Sequence, residues 1–129
     1  MFERPLAYVC FSVKGDAAVI QRRAKQYARK VFDGGLEPFV PHQFYSTFLD
    51  DSLAEERKAA VGMGLNHLKK CKLLIVCSKE RTDTMQTEID EARRLSIPVI
   101  SIDGLILEKP AVMAKNRSYT KRPMEVDQQ

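Results

Sequence analysis

The stretch KLLIVCSKERTDTMQTEIDEARRLSIPVISI, residues 72–102, changes its hydrophobic period twice. Lys72 to Cys77 is an apolar run typical of a strand. From Thr84 to Leu95 the period becomes helical: at about 100° per residue Met85, Glu88, Ile89, Ala92, Leu95 and Ser96 share one stripe, while Asp90, Glu91, Arg93 and Arg94 point toward water. Asp83 and Gln86 form a capping pair in front of that helix. Pro98 to Ile102 is again a strand. Within this strand, helix, strand unit one residue is out of place: Glu88, a carboxylate on an otherwise buried stripe.

Reading toward the N-terminus gives the same alternation. Leu6 to Phe11 is a short apolar and aromatic strand, followed by a turn at Lys14 and Gly15 and by Asp16 in an N-cap position. The helix after it carries Ile20, Ala24, Tyr27, Ala28 and Val31 on one face and stops at Gly34 and Gly35, which can take a left-handed cap. A strand follows around Glu37 to Val40 and Pro41 closes it. A polar and aromatic loop, His42 to Asp51, leads to Ser52, which forms a capping box with Glu55 for a helix ending near Lys70. The order β-α-β-α-β-α-β predicts an α/β domain: a doubly wound, mostly parallel sheet of four or five strands in the flavodoxin-like order 2-1-3-4, with helices on both faces. Residues 1–108 form that domain. After Gly104 the signal weakens to either a short fifth strand near Leu105 to Leu107 or partial disorder. Residues 109–129 form a tail that, from Lys109 to Pro123, has five basic residues and no acidic one.

Composition bounds the rest. A chain of 129 residues, 44% hydrophobic and 29% charged, can bury one ordinary core. Cys10, Cys71 and Cys77 are odd in number and lack metal-ligand spacing, so they are expected reduced and buried. The start, MFERPLAYVCF, has no signal-like pattern, and no segment approaches a membrane span, so a cytoplasmic protein is expected. The net charge of +4 permits an anionic partner without requiring one. Gly62 and Gly64 inside a helix suggest close packing against the sheet or a partner subunit, and a homo-oligomer is expected.

In an open sheet of order 2-1-3-4, ligands bind beyond the carboxyl ends of strands one and three. The loops from Ser12 to Asp16 and from Ser78 to Asp83 open there. Ser12, Lys14, Gly15, Asp16 and the start of the Glu88 helix are therefore expected around one cavity, where free helix amides favour an anion.

The segments YVCFSVKGD, PFVPHQFYSTFLDDSLAEERKAAVGMGLNHLKKC and TMQTEIDEARRLSIPV resemble a family of small bacterial and phage proteins related to the nucleoside 2-deoxyribosyltransferases. The match spans roughly residues 6–102 and is most specific at Pro41 and His42, in the FLDDSLAEER to MGLNHLKKC stretch, and from Met85 to Pro98. In that superfamily a glutamate of the third helix attacks C1′ of a deoxyribosyl group, and Glu88 holds the matching place. The resemblance implies N-glycosidic bond chemistry on a nucleoside or nucleotide, by transfer or hydrolysis through a glycosyl ester, with no cofactor and no metal. Asp16 or Asp83 would protonate the leaving base. Ser12, Lys14, Gly15, His42, Asp83, Thr84 and Met85 would shape the substrate site, with Lys14 suited to a phosphate.

The chain departs from its relatives around that site. Phe11, Ser12, Val13 and Lys14 stand where relatives often carry Ser-Pro-Tyr before Gly-Asp, so the tyrosine that would orient the nucleophile is missing from this loop. Lys72 replaces an acidic residue, and Thr84 a glycine. A non-catalytic protein that binds or sequesters a nucleotide on the same scaffold is therefore the alternative. Phe44, Tyr45 and Phe48 are candidates for stacking on a base, and His67 is expected on the surface. Nucleic-acid binding by the basic tail ranks last.

Overall fold

The computed structural model describes residues 3–105. Strand β1, Leu6–Cys10, leads to helix α1, Ala17–Asp33, and strand β2, Glu37–Phe39. Two helices follow, α2 at Pro41–Tyr45 and α3 at Ala54–Leu68. Strand β3, Leu73–Val76, helix α4, Asp83–Arg94, strand β4, Val99–Ser101, and a 3-10 turn, Ile102–Gly104, complete the described chain. The sheet has four strands in the order β2-β1-β3-β4. All three pairings are parallel, with Tyr8 beside Phe39 on one side and Leu74 on the other. This is the doubly wound α/β arrangement expected from the sequence.

The central strand is buried on both faces, as parallel sheets require, and its side chains sort by a period of two. Ala7, Val9 and Phe11 pack with Ile20, Ala24 and Val31 of α1. Tyr8 and Cys10 point the other way and pack with Leu68 at the end of α3 and with Met85, Ile89 and Ala92 of α4. Cys10 and Cys71 are buried, Cys77 is half-buried, and all three are free thiols.

Local signals differ from the reading above at four places. The loop after β2 begins as helix α2, with Pro41 at its start, where a fixed φ and a missing N–H cost nothing. Ser52 caps no helix: its amide and hydroxyl both donate to Asp50 Oδ1, at 2.9 and 2.7 Å, because a carboxylate is the stronger acceptor. Those two bonds hold the Asp50 carboxyl below its ordinary range. Thr82, rather than Asp83, caps α4 by accepting from the Met85 amide at 3.1 Å, while Gln86 bonds to Asp90.

The fourth difference is at the end of α4. Ser96 leaves the stripe and takes a left-handed φ of 60°. There the Ile97 amide reaches back to the Ala92 carbonyl and the Ser96 amide to that of Arg93, a Schellman closure. Gly35, with φ of 89°, closes α1 in the same way. Leu105 is not in a strand and packs on Gly34. The rest of the fifth-strand segment and the basic tail lie outside the described residues.

Candidate functional site

Glu88 sits on the buried face of α4 and is only 9% exposed. The strand periodicity of β1 sends Tyr8 and Cys10 to the same face, two residues apart, and both reach it. The Tyr8 hydroxyl donates to Glu88 Oε2 at 2.5 Å, and the Cys10 thiol donates to Oε1 at 3.3 Å. Each carboxylate oxygen thus has one donor. Tyr8 is itself braced by the edge of the Phe39 ring, with centroids 5.6 Å apart, and α3 passes it at Gly64.

Among the described residues no lysine or arginine forms an ion pair with Glu88. Burial pushes its carboxyl up to about 6, while the bonds from Tyr8 and Cys10 pull in the opposite direction. Burial first, and then the Glu88 charge, push both the Tyr8 hydroxyl and the Cys10 thiol well above their ordinary values. The two groups therefore remain protonated donors at neutral pH. The result is a desolvated carboxyl group whose pKa is pushed up by burial and which has no ion-pair partner among the described residues.

Glu88 forms part of the wall of a cleft between the end of β1, α2, α3 and α4. The cleft opens to solvent and holds about 90 Å³ of space accessible to water. Phe11, Val13, Tyr45, Leu49 and Val61 supply apolar surface, and His42, Ser46, Asp51, Arg57 and Thr84 supply polar groups. His42 Nε2 lies 3.4 Å from Asp51 Oδ2. Arg57 donates to the Asp51 carbonyl at 2.8 Å, and Glu56 accepts from the Asp50 amide at 2.7 Å. The Asp50, Asp51, Ser52 turn is thereby stitched to the first turn of α3, which holds Asp51 beside the imidazole.

Of the residues singled out by sequence, Glu88, His42 and Thr84 share this cleft. Ser12, Lys14, Gly15, Asp16, Asp83 and Met85 do not line it. The loops after β1 and β3 do meet, through the Ser12 amide donating to Ser78 at 2.9 Å and the Ser12 hydroxyl donating to Glu80 at 3.3 Å. Neither Ser12 nor Ser78 lines the Glu88 cleft, to which the first loop contributes Val13 and the start of α4 Thr84, with α2 and α3 forming the rest of the wall.

Lys14 is exposed and 4.0 Å from Glu80. Gly15, with φ of 106°, makes the turn into α1, where Asp16 is exposed and bonds no helix amide with its side chain. Asp83 is exposed in the first turn of α4, and Met85 is fully buried core.

Tyr45 lines the cleft, whereas Phe44 and Phe48 are 63% and 57% exposed and pack edge-on against each other. His67 is half-buried against the Phe39 ring rather than fully at the surface. Sequence reading missed Tyr8, Cys10, Asp51 and Arg57. The tyrosine that bonds Glu88 lies inside β1 rather than in the first loop, and its sequence signal was a polar aromatic at strand spacing from Cys10. Among the described residues no cluster of three or more histidine, cysteine or acidic side chains is placed to hold a metal ion. No described helix is long and apolar enough to cross a membrane.

The family described as Domain of unknown function (DUF7768) matches residues 5–102. No curated protein matches the sequence. Among solved structures, the fold is similar to that of a 2-deoxyribosyltransferase from the psychrotolerant bacterium Bacillus psychrosaccharolyticus, with a TM-score of 0.59. The two are 18% identical, over 78% of this chain and 75% of that one. At that identity the likeness is one of fold.

Proposed function

The chain belongs to the DUF7768 family, and from that premise we propose that it cleaves the N-glycosidic bond of a (deoxy)nucleoside or nucleotide, by deoxyribosyl transfer or hydrolysis, with Glu88 as nucleophile. The observation that carries this reading is the buried Glu88 carboxyl at a cleft wall, held by Tyr8 and Cys10 and with no ion-pair partner among the described residues. Such a group is suited to a centre that becomes positive. Departure of a nucleobase gives C1′ oxocarbenium character, which an adjacent carboxylate stabilises and then captures as a glycosyl ester. Water or a second base collects the sugar, with net retention at C1′. The deoxyribosyltransferase fold is consistent with this chemistry.

The Tyr8 and Cys10 hydrogen bonds orient the two oxygens and favour the ionised form against the effect of burial. Phe11, Tyr45 and Val61 offer apolar surface for a base. The second reading, a protein that holds a nucleotide without turning it over, is favoured by Thr84. This side chain stands at the cleft where a glycine would let the ligand approach the helix backbone closely.

The test is incubation with 2′-deoxynucleosides and their 5′-monophosphates, with free base followed by chromatography. Base release by the wild type and none by Glu88→Ala is the expected result. Saturable binding by calorimetry without base release from either protein would establish the second reading instead.

A further inference from the structure

We propose that His42, positioned by Asp51, is the acid that protonates the departing nucleobase; this rests on the glycosidic reading of the Glu88 cleft. A purine or pyrimidine leaves poorly as an anion, so a proton must arrive at the base as the bond to C1′ breaks. Asp16 and Asp83 are exposed and outside the cleft. Tyr8 lines the cleft but is committed as the donor to Glu88. His42 comes from α2, a different element from the helix bearing Glu88, yet lines the same cleft.

Its Nε2 faces Asp51 Oδ2 at 3.4 Å, and its Nδ1 has no hydrogen-bond partner among the described residues. A carboxylate on one ring nitrogen orients the imidazole and leaves the other nitrogen for substrate. Asp51 acts only through the histidine and is a positioning residue, held in place by the bond from Arg57 to its carbonyl. Two consecutive aspartates thus divide their work: Asp50 closes the turn with Ser52, and Asp51 faces the imidazole.

In the first step a Glu88 oxygen bonds to C1′ and the bond from C1′ to the base nitrogen breaks. The released electron pair passes to the base, which takes the Nδ1 proton from the imidazolium of His42. In the second step the neutral imidazole takes a proton from water as the water oxygen bonds to C1′. The ester bond to Glu88 breaks, returning the carboxylate and leaving free sugar. One water is consumed for each base and sugar released, and both side chains return to their starting states.

A leaving group that is already cationic needs no acid, and this separates the role of His42 from that of Glu88. The full chain and its His42→Gln, Asp51→Asn and Glu88→Ala variants are assayed on 2′-deoxyguanosine and on its N7-methylated, positively charged analogue. His42→Gln is expected to lose about 100-fold or more in kcat on the unmethylated substrate and less than about threefold on the methylated one. Asp51→Asn should show the same selectivity, with a smaller loss and little change in KM, and it carries the test if His42→Gln does not fold. Glu88→Ala should lose both activities. Equal losses on the two substrates, or none on either, in the His42 and Asp51 variants would overturn the acid role while leaving the Glu88 reading intact. A wild type inert toward both substrates would overturn both.

Discussion

Gly64 of α3 and Tyr8 of β1 are fitted to each other: a Cβ at position 64 would lie 2.9 Å from the Tyr8 hydroxyl oxygen. Helix and strand approach this closely only because residue 64 has no side chain, and that approach seats the hydroxyl on Glu88. Gly62, two residues earlier, meets nothing within 4 Å and has no such role.

Gly64→Ala is therefore expected to displace the Tyr8 hydroxyl from Glu88 and to reduce turnover. Gly62→Ala is expected to leave turnover unchanged and to gain about 1 kcal/mol of helix stability. Base-release assays and urea denaturation of the two variants check this, and equal effects at both positions would contradict it.

Tyr8→Phe removes a donor from a buried carboxylate. The Glu88 carboxyl should then titrate above its present value of about 6. At pH 7 the variant should lose about 1–3 kcal/mol of stability. Carbon-13 NMR of labelled glutamate follows the first effect and denaturant unfolding the second. An unchanged titration would mean that the hydroxyl does not serve the carboxylate.

The stability of the protein should also depend on the charge of Glu88. Its carboxyl is raised from 4.5 to about 6 in the fold, so between these values the folded chain binds more protons than the unfolded one. The contribution is fully present below about 4.5 and is lost as pH rises through about 6, a change of about 2 kcal/mol. Glu88→Gln cannot titrate and should gain that much relative to the wild type between pH 4 and pH 7, measured by urea unfolding at both. Activity on the methylated, already cationic substrate, which needs no acid, should run the other way, rising through about pH 6 as the nucleophile ionises.

Ser96 ends α4 with φ of 60°, a region that costs an L residue with a Cβ about 1–2 kcal/mol. Ser96→Gly should raise stability by up to about 1 kcal/mol, after the greater freedom of glycine in the unfolded chain is subtracted. A thermal midpoint at or below that of the wild type would show that the serine side chain contributes something the backbone argument omits.

The alternation of strand and helix, the parallel sheet and the place of Glu88 on the inward stripe of its helix were legible in the chain, because each follows from a period; that the carboxyl stays buried instead of reaching water was not. Two along β1 and 3.6 along α4 sort side chains before any tertiary contact forms. Caps were legible only approximately, since Ser52, Asp50, Thr82 and Asp83 offer competing acceptors within one or two residues of each other. Which one wins depends on where the neighbouring backbone lies. Ser96 was misplaced for the same reason, as its position one residue past the helix is set by how Ile97 returns to the core.

By itself the sequence determined that a carboxylate would sit on an inward face of an α/β domain. Tertiary structure alone decided what that carboxylate meets. Tyr8 and Glu88 are 80 residues apart, and their contact requires β1 beside β3 and α3 thinned to a glycine at the crossing. The cleft draws on His42 and Asp51 rather than on Lys14 and Asp16, because its walls are built by the stacking of α2 and α3 over the sheet. Periodicity is a property of neighbours along the chain, whereas a cavity depends on which surfaces fail to fill the space between them.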